Sequence, residues 1–411
     1  MTLLYIIFLI WVLFLLVDFK KAVLIYAPFK ILFYYDVRLT ASLPFDMAMM
    51  LLFAGMYFLN RKRFNSVSFP FSRGFVVYAI IVSFGCIYPV FAINKIPAIV
   101  IGVLFYSYIY IKCLETVKDV KLAIFSHFIF AIFLVSNGVL EYQLGSCPVD
   151  EWIRSMPYID KEHAFETNFD VLRFGLPRLR SFMPFSISYG VCCVIFFAIP
   201  FYLLFFNTIN SISKTFIIIC GMMLLLGIIC SGSRSPIIGL IIIFGYLLLD
   251  RNLLISYKKQ IFILGIFIFM FLWPYIYQNI MSIIDPSAAQ EASGSSTEMR
   301  IGQYAIAFEY VNAKPLFGWG QGLEVERDGF YGGESIWLPL MMKGGLLGVF
   351  GYIYLYYDLY VNTNSNNRKY LITISCSWLA MNTATSLMGI GDATFFTIYF
   401  LLYRLSKVSK T

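Results

Sequence analysis

Four arginines and one glutamate are the residues of this chain that could do chemistry together. Arg178 and Arg180 belong to a basic run that ends at Pro184, and Arg234 sits in Ser231-Gly232-Ser233-Arg234-Ser235-Pro236. Arg300 opens a helical stretch, and Glu334 follows Gly332 and Gly333 ahead of an apolar run. A guanidinium binds phosphate bidentately and never loses its charge, so such a set could clamp a pyrophosphate without a metal. A carboxylate partly desolvated at the start of an apolar helix could act as a general base.

Each residue also has a plainer reading. Arg300 lies in a first helical turn, where the macrodipole disfavours a cation but where free amides and a guanidinium together attract an anion. Alternatively it snorkels to headgroups or pairs with Glu298 or Asp328. Ser235 and Pro236 fit an N-cap and first-turn pair. They leave Arg234 unexplained at a depth where an ionisable side chain is by default functional. Arg178 and Arg180 could be ordinary loop-end cations, and Glu334 a helix N-terminal acid. Asp392 is a further acid on the same side, His163 falls in a loop, and His127, inside an apolar run, reads as a packing residue. There is no Asp-x-Asp pair and no phosphate-cradling glycine loop, so neither a metal nor a dissociable cofactor is expected.

The elements that must position these residues are membrane helices. The chain is 60% hydrophobic and 13% charged, with mean hydropathy +0.78, against about 25% charged in a soluble domain. Apolar runs cover 2–17, 42–59, 74–92, 97–114, 122–140, 184–207, 215–230, 236–249, 260–283, 344–360, 371–388 and 393–405. A spanning helix needs roughly 17–25 residues. The expected fold is therefore an all-α polytopic membrane protein of about 12 transmembrane helices, one integral membrane domain over 1–411. Two large loops interrupt it, 141–183 and 284–343. The first run has no small-residue cleavage site and reads as an anchor.

The net charge of +8 is a topology signal. Putting Arg61-Lys62-Arg63 inside also places Lys118, Lys121, Lys214, Lys258, Lys259, Arg368, Lys369, Arg404 and Lys407 inside, as positive-inside requires. Both termini are then expected to be cytoplasmic and both large loops outside, and no nucleic-acid partner is implied. Residues 22–34 are too short to span and are read as an interfacial segment. Seven of the eight cysteines lie in apolar runs and Cys147 has no obvious mate, so no disulfide framework is expected. No internal repeat is visible. In the later loop, Ser295 and Glu298 have capping-box spacing. The helix that follows would carry Ile301, Tyr304, Ala305 and Phe308 on one face and Arg300, Gln303, Tyr310 and Lys314 on the other, lie on the membrane surface and stop before Pro315.

The Ser231–Pro236 turn, the order Arg300 then Lys314-Pro315-Leu316-Phe317-Gly318-Trp319-Gly320-Gln321-Gly322, and Glu334-Ser335 running on to Lys343-Gly344 resemble the O-antigen polymerase and ligase superfamily. The basic stretch from Arg178 to Pro184 is similar to one that the family places before a span. The resemblance implies glycan transfer from undecaprenyl pyrophosphate at the periplasmic face of a bacterial inner membrane. Ligases of the family carry a histidine near the end of the large loop. Glu334-Ser335 stands there in this chain, which favours a polymerase of O-antigen or capsule repeat units. On this reading Arg300, Arg234 and Glu334 are catalytic, and Arg178, Arg180, Arg234 and Arg300 bind pyrophosphate. The partners would be undecaprenyl-pyrophosphate-linked glycans, membrane lipids and a candidate chain-length regulator. A ligase onto lipid A core and a lipid-linked oligosaccharide flippase are the alternatives.

Overall fold

The structure is a computed structural model. It describes residues 2–33, 37–64, 67–156, 172–173, 176–206, 212–249, 277, 281, 297–325, 335–363, 367–385 and 390–408. The helices are α1 (Thr2–Val17), α2 (Phe19–Phe29), α3 (Phe45–Asn60), α4 (Ser72–Ile87), α5 (Tyr106–Cys113, continuing a π-helical stretch Pro97–Phe105), α6 (Val117–Leu144) and α7 (Pro148–Arg154). They continue with α8 (Ser186–Phe206), α9 (Lys214–Cys230), α10 (Arg234–Leu249), α11 (Thr297–Ala313), α12 (Trp337–Asn362), α13 (Arg368–Ala384) and α14 (Ile390–Val408). Strand is confined, among the described residues, to two antiparallel hairpins, β1 (Arg38–Thr40) with β2 (Leu43–Pro44) and β3 (Leu172–Arg173) with β4 (Leu176–Pro177).

Eleven of the twelve apolar runs carry helix; of the other, 260–283, only residues 277 and 281 are described. By length and composition α6, α8 and α12 can each cross a membrane, and α1, α4, Pro97–Cys113, α9 and Arg234–Tyr246 are shorter apolar helices. Apolar side chains also line the outside. Ile218, Ile219 and Met222 of α9 and Leu346, Phe350, Ile353 and Tyr357 of α12 are exposed at helical spacing. In water such stripes would be a liability; a lipid-facing surface requires them. The fold is an all-α polytopic membrane protein.

Of residues 22–34, the described ones, 22–33, are not an interfacial segment. Ala22, Val23, Leu24, Tyr26, Ala27 and Ile31 are buried in the bundle, where Tyr106 donates to the Val23 carbonyl at 2.9 Å and Ser126 to that of Leu24 at 3.3 Å. Lys30, which broke the apolar pattern, is neutralised inside. Its Nζ lies 2.8 Å from Asp46 Oδ2 and donates to the Gly102 carbonyl of the π-helical stretch at 2.8 Å, while Tyr26 donates to Asp46 Oδ1 at 3.0 Å. A buried charge with a partner and satisfied hydrogen bonds can be accommodated in such a core.

Contacts at the helix ends define two ends of the bundle. At the Arg61 end, Phe19 packs on Phe64 at 5.3 Å, Lys20 pairs with Glu115 and Asp119 at 2.8 and 2.7 Å, and Arg404 donates to the Leu114 carbonyl at 2.8 Å. Tyr5, near the start of α1, donates to Leu39 at 2.7 Å in the hairpin at the other end. Helices α1 and α2 therefore form a tight antiparallel pair turning at Asp18. The start of α1 and the end of α14 lie at opposite ends, where the hydropathy count without α2 put both termini on one side.

Candidate functional site

Arg178 and Arg234 meet at the turn between α9 and α10. Gly232 adopts φ +59°, and a Cβ there would lie 3.2 Å from Arg178 Cγ. The Leu179 amide donates to the Cys230 carbonyl at 3.1 Å, and Arg178 Nη2 donates to Ser233 Oγ at 3.3 Å. Ser231 donates to the Ile228 carbonyl at 2.7 Å and accepts from the Ser233 amide at 3.3 Å, which satisfies groups freed at the helix end. The turn rests on α8 through Gly190, where a Cβ would come within 2.5 Å of Ser231 Oγ and 2.6 Å of Pro236 Cγ. Helix α10 begins at Arg234, ahead of the Ser235 cap expected from the sequence. Pro236 still falls in the first turn, where its missing N–H costs no helical bond.

Arg180 is turned inward and is 4% exposed. Its Nε lies 4.0 Å from Glu141 Oε1 and its Nη1 donates to the Met183 carbonyl at 3.4 Å. Glu141 Oε2 also accepts the amides of Arg180 at 2.9 Å and Ser181 at 2.6 Å. Ser181 has φ 55°, a conformation that a non-glycine residue holds only when its surroundings enforce it. Of the basic pair, Arg178 stays at the Arg234 turn and Arg180 anchors the backbone. Sequence reasoning missed Glu141; its signal was an acid just past an apolar run.

Arg300 Nη2 donates to the Ala384 carbonyl at the end of α13, at 3.5 Å. Helices α10 and α13 pack antiparallel, with Ser377 donating to the Gly239 carbonyl at 2.9 Å. At a rise of about 1.5 Å per residue, Arg234 lies about 7 Å beyond Gly239, and Ala384 about 10 Å beyond Ser377. Arg300 and Arg234 thus approach the same end of the bundle from neighbouring helix ends. Helix α11 spans what the sequence predicted, but its polar face is the one turned to the protein. Gln303 and Ala307 are buried while Ile301 and Phe308 are exposed. Tyr304 donates to Ser335 Oγ at 3.0 Å, the Ile336 amide to the Asn382 carbonyl at 2.9 Å, and Trp337 Nε1 to Thr383 Oγ1 at 3.0 Å. Glu334, Ser295, Asp328 and His163 lie outside the described residues. His127 is a buried packing residue, its Nδ1 2.7 Å from the Ala123 carbonyl.

The glycine-rich segment after α11 is built into α12, which breaks at Gly345 (φ 58°, ψ −154°). The amides of Leu346 and Leu347 bond to the carbonyls of Pro315 at 2.9 Å and Leu316 at 3.1 Å. The carbonyls of Met342 and Lys343 accept from Trp319 and Gly320, both at 2.9 Å. The two backbone segments exchange partners, so two amides and two carbonyls beside the helix break are satisfied. Beside the break is a cavity of about 450 Å³ whose walls include Ile80, Phe84, Lys95, Gln321, Lys343 and Asp392.

Fold and site together define a polytopic membrane protein with Arg178, Arg234 and Arg300 at one end of its bundle. Residues 218–353, about a third of the chain, match the family described as O-antigen ligase. The match takes in Arg234, Arg300 and Glu334, stops short of Arg178 and Arg180, and places this part of the chain in the O-antigen ligase and polymerase superfamily. The function is accordingly membrane glycan processing of the ligase or polymerase type, by a glycosyltransferase-like enzyme. No curated protein matches the chain.

Proposed function

We propose that the protein is a polysaccharide polymerase. It moves a growing glycan from undecaprenyl pyrophosphate to a lipid-linked repeat unit at the outer face of a bacterial inner membrane. The observation that carries this reading is the convergence of Arg178, Arg234 and Arg300 at one end of the bundle, from three separate segments. An acceptor hydroxyl attacks the donor's anomeric carbon; a new C–O bond forms and the bond to the pyrophosphate oxygen breaks. Charge builds on the leaving pyrophosphate, and fixed guanidiniums stabilise it more in the transition state than in the ground state. Arg300 and Arg234 take that role, and Arg178 holds the second phosphate. Glu334, which stands where ligases of the superfamily carry a histidine, accepts the hydroxyl proton.

Deleting the gene and separating the surface and lipid-linked glycans tests the proposal. A polymerase deletion exports single repeat units and loses the length ladder. Accumulation of long lipid-linked polymer would instead identify a ligase. Trapping of single units on the cytoplasmic side would identify a flippase.

A further inference from the structure

The cavity beside the α12 break has an unusual lining for a membrane interior. Most of its walls are apolar, yet Lys95 and Lys343 both face it. Lys95 donates to the Gln321 carbonyl at 2.7 Å. The Lys343 ammonium has no hydrogen-bond acceptor among the described residues, and the charges it feels are those of Lys95 and Glu324. Glu324 is exposed, so its charge is screened by solvent. The remaining acid, Asp392, is buried at another wall, where Tyr352 donates to its Oδ1 at 3.2 Å. Two ammonium groups facing one apolar cavity repel each other and lose hydration; an anion between them relieves both costs. Asp392 would repel that anion and confine it to the lysine side.

The cavity is bounded by lipid-facing side chains. Ile80, Phe84 and Phe317 are 63%, 45% and 41% exposed, and Phe84 packs on Phe317 at 5.1 Å. A ligand with a phosphate head and an apolar chain could set its head on the lysines and leave its chain along this wall. We infer that the Lys95–Lys343 cavity holds the diphosphate of a second polyprenyl lipid, separate from the one at the arginines. This rests on the proposed function, because transfer between two lipid-linked glycans requires two such heads at once. The first turns of α12 set their separation: Lys343 is six residues beyond Trp337, which binds Thr383 beside Arg300's partner Ala384, or about 9 Å along the helix.

The test is native mass spectrometry of the full chain with undecaprenyl diphosphate, and in a parallel arm with phosphatidylglycerol. Wild-type protein is expected to bind two equivalents of undecaprenyl diphosphate. Lys343→Gln and the Lys95→Gln/Lys343→Gln double variant are expected to bind one at unchanged affinity and the other at least about tenfold more weakly, as loss of a charged phosphate contact implies. Lys343→Arg should retain both. Unchanged melting and elution show that a variant is folded; if the double variant fails there, Lys343→Gln alone decides. A single equivalent untouched by the lysine changes overturns the second seat and leaves the function standing. Displacement by equimolar phosphatidylglycerol overturns it in favour of an ordinary lipid site. No binding of undecaprenyl diphosphate at all overturns both.

Discussion

Gly318 and Gly345 face each other backbone to backbone, both with positive φ (63° and 58°). A Cβ on Gly318 would lie 2.6 Å from the Gly345 amide nitrogen, and one on Gly345 2.6 Å from that of Gly318. Neither neighbour is a side chain that could swing aside.

Gly318→Ala and Gly345→Ala are therefore expected to separate the loop from the helix break. Each combines an unfavourable φ with a backbone clash, so a loss of about 2–3 kcal/mol is expected. Thermal melting in detergent checks it. An alanine variant that melts with the wild type would show that the two backbones are not in contact.

Arg300→Lys keeps the charge and loses the planar fork. Polymer length should collapse toward single units while the protein level stays normal. Arg234→Lys should behave alike. Glycan ladders read against an immunoblot measure both, and a wild-type ladder in Arg300→Lys would remove that residue from the mechanism.

Glu141→Gln strikes the joint that holds Arg180 and Ser181. It replaces a carboxylate serving two amides and a buried guanidinium, and should cost about 3 kcal/mol. Because Leu179 is bonded to Cys230, the displaced segment should pull Arg178 from Ser233 and lower activity as well. Activity loss with unchanged melting, or the reverse, would separate the two roles.

Topology gives a prediction independent of chemistry. Cysteines introduced at the exposed positions Lys21 and Lys118 should react with an impermeant maleimide from one side of the membrane, and a cysteine at Ala41 from the other. Labelling of Lys21→Cys and Ala41→Cys from the same side would remove α2 from the bundle.

Helix positions were legible because apolar runs of spanning length have few other uses; α11 was legible from its periodicity and from Pro315. The meeting of Arg178 with the Arg234 turn was legible only as a shared side of the membrane, since the contact depends on Gly190 admitting Ser231 and Pro236. Helix α2 was misread because residues 22–34 are too short to span on their own, and the partners that hold Lys30 inside, Asp46 and Gly102, are distant in sequence. The Gly318–Gly345 exchange was invisible for the same reason. Each glycine alone reads as a turn or a helix defect, and the pairing joins segments that no local pattern relates.

The pairing of α1 with α2 bears on what the leading end of the chain can reach. An extra crossing placed between α1 and α3 leaves the side of each later loop unchanged and reverses only the residues ahead of it. The start of α1 thus shares its end of the molecule with Arg234, Arg300 and the hairpin at Leu39. An extension or reporter fused ahead of Thr2 would emerge at the same end of the bundle as these arginines, and one fused after Val408 at the opposite end.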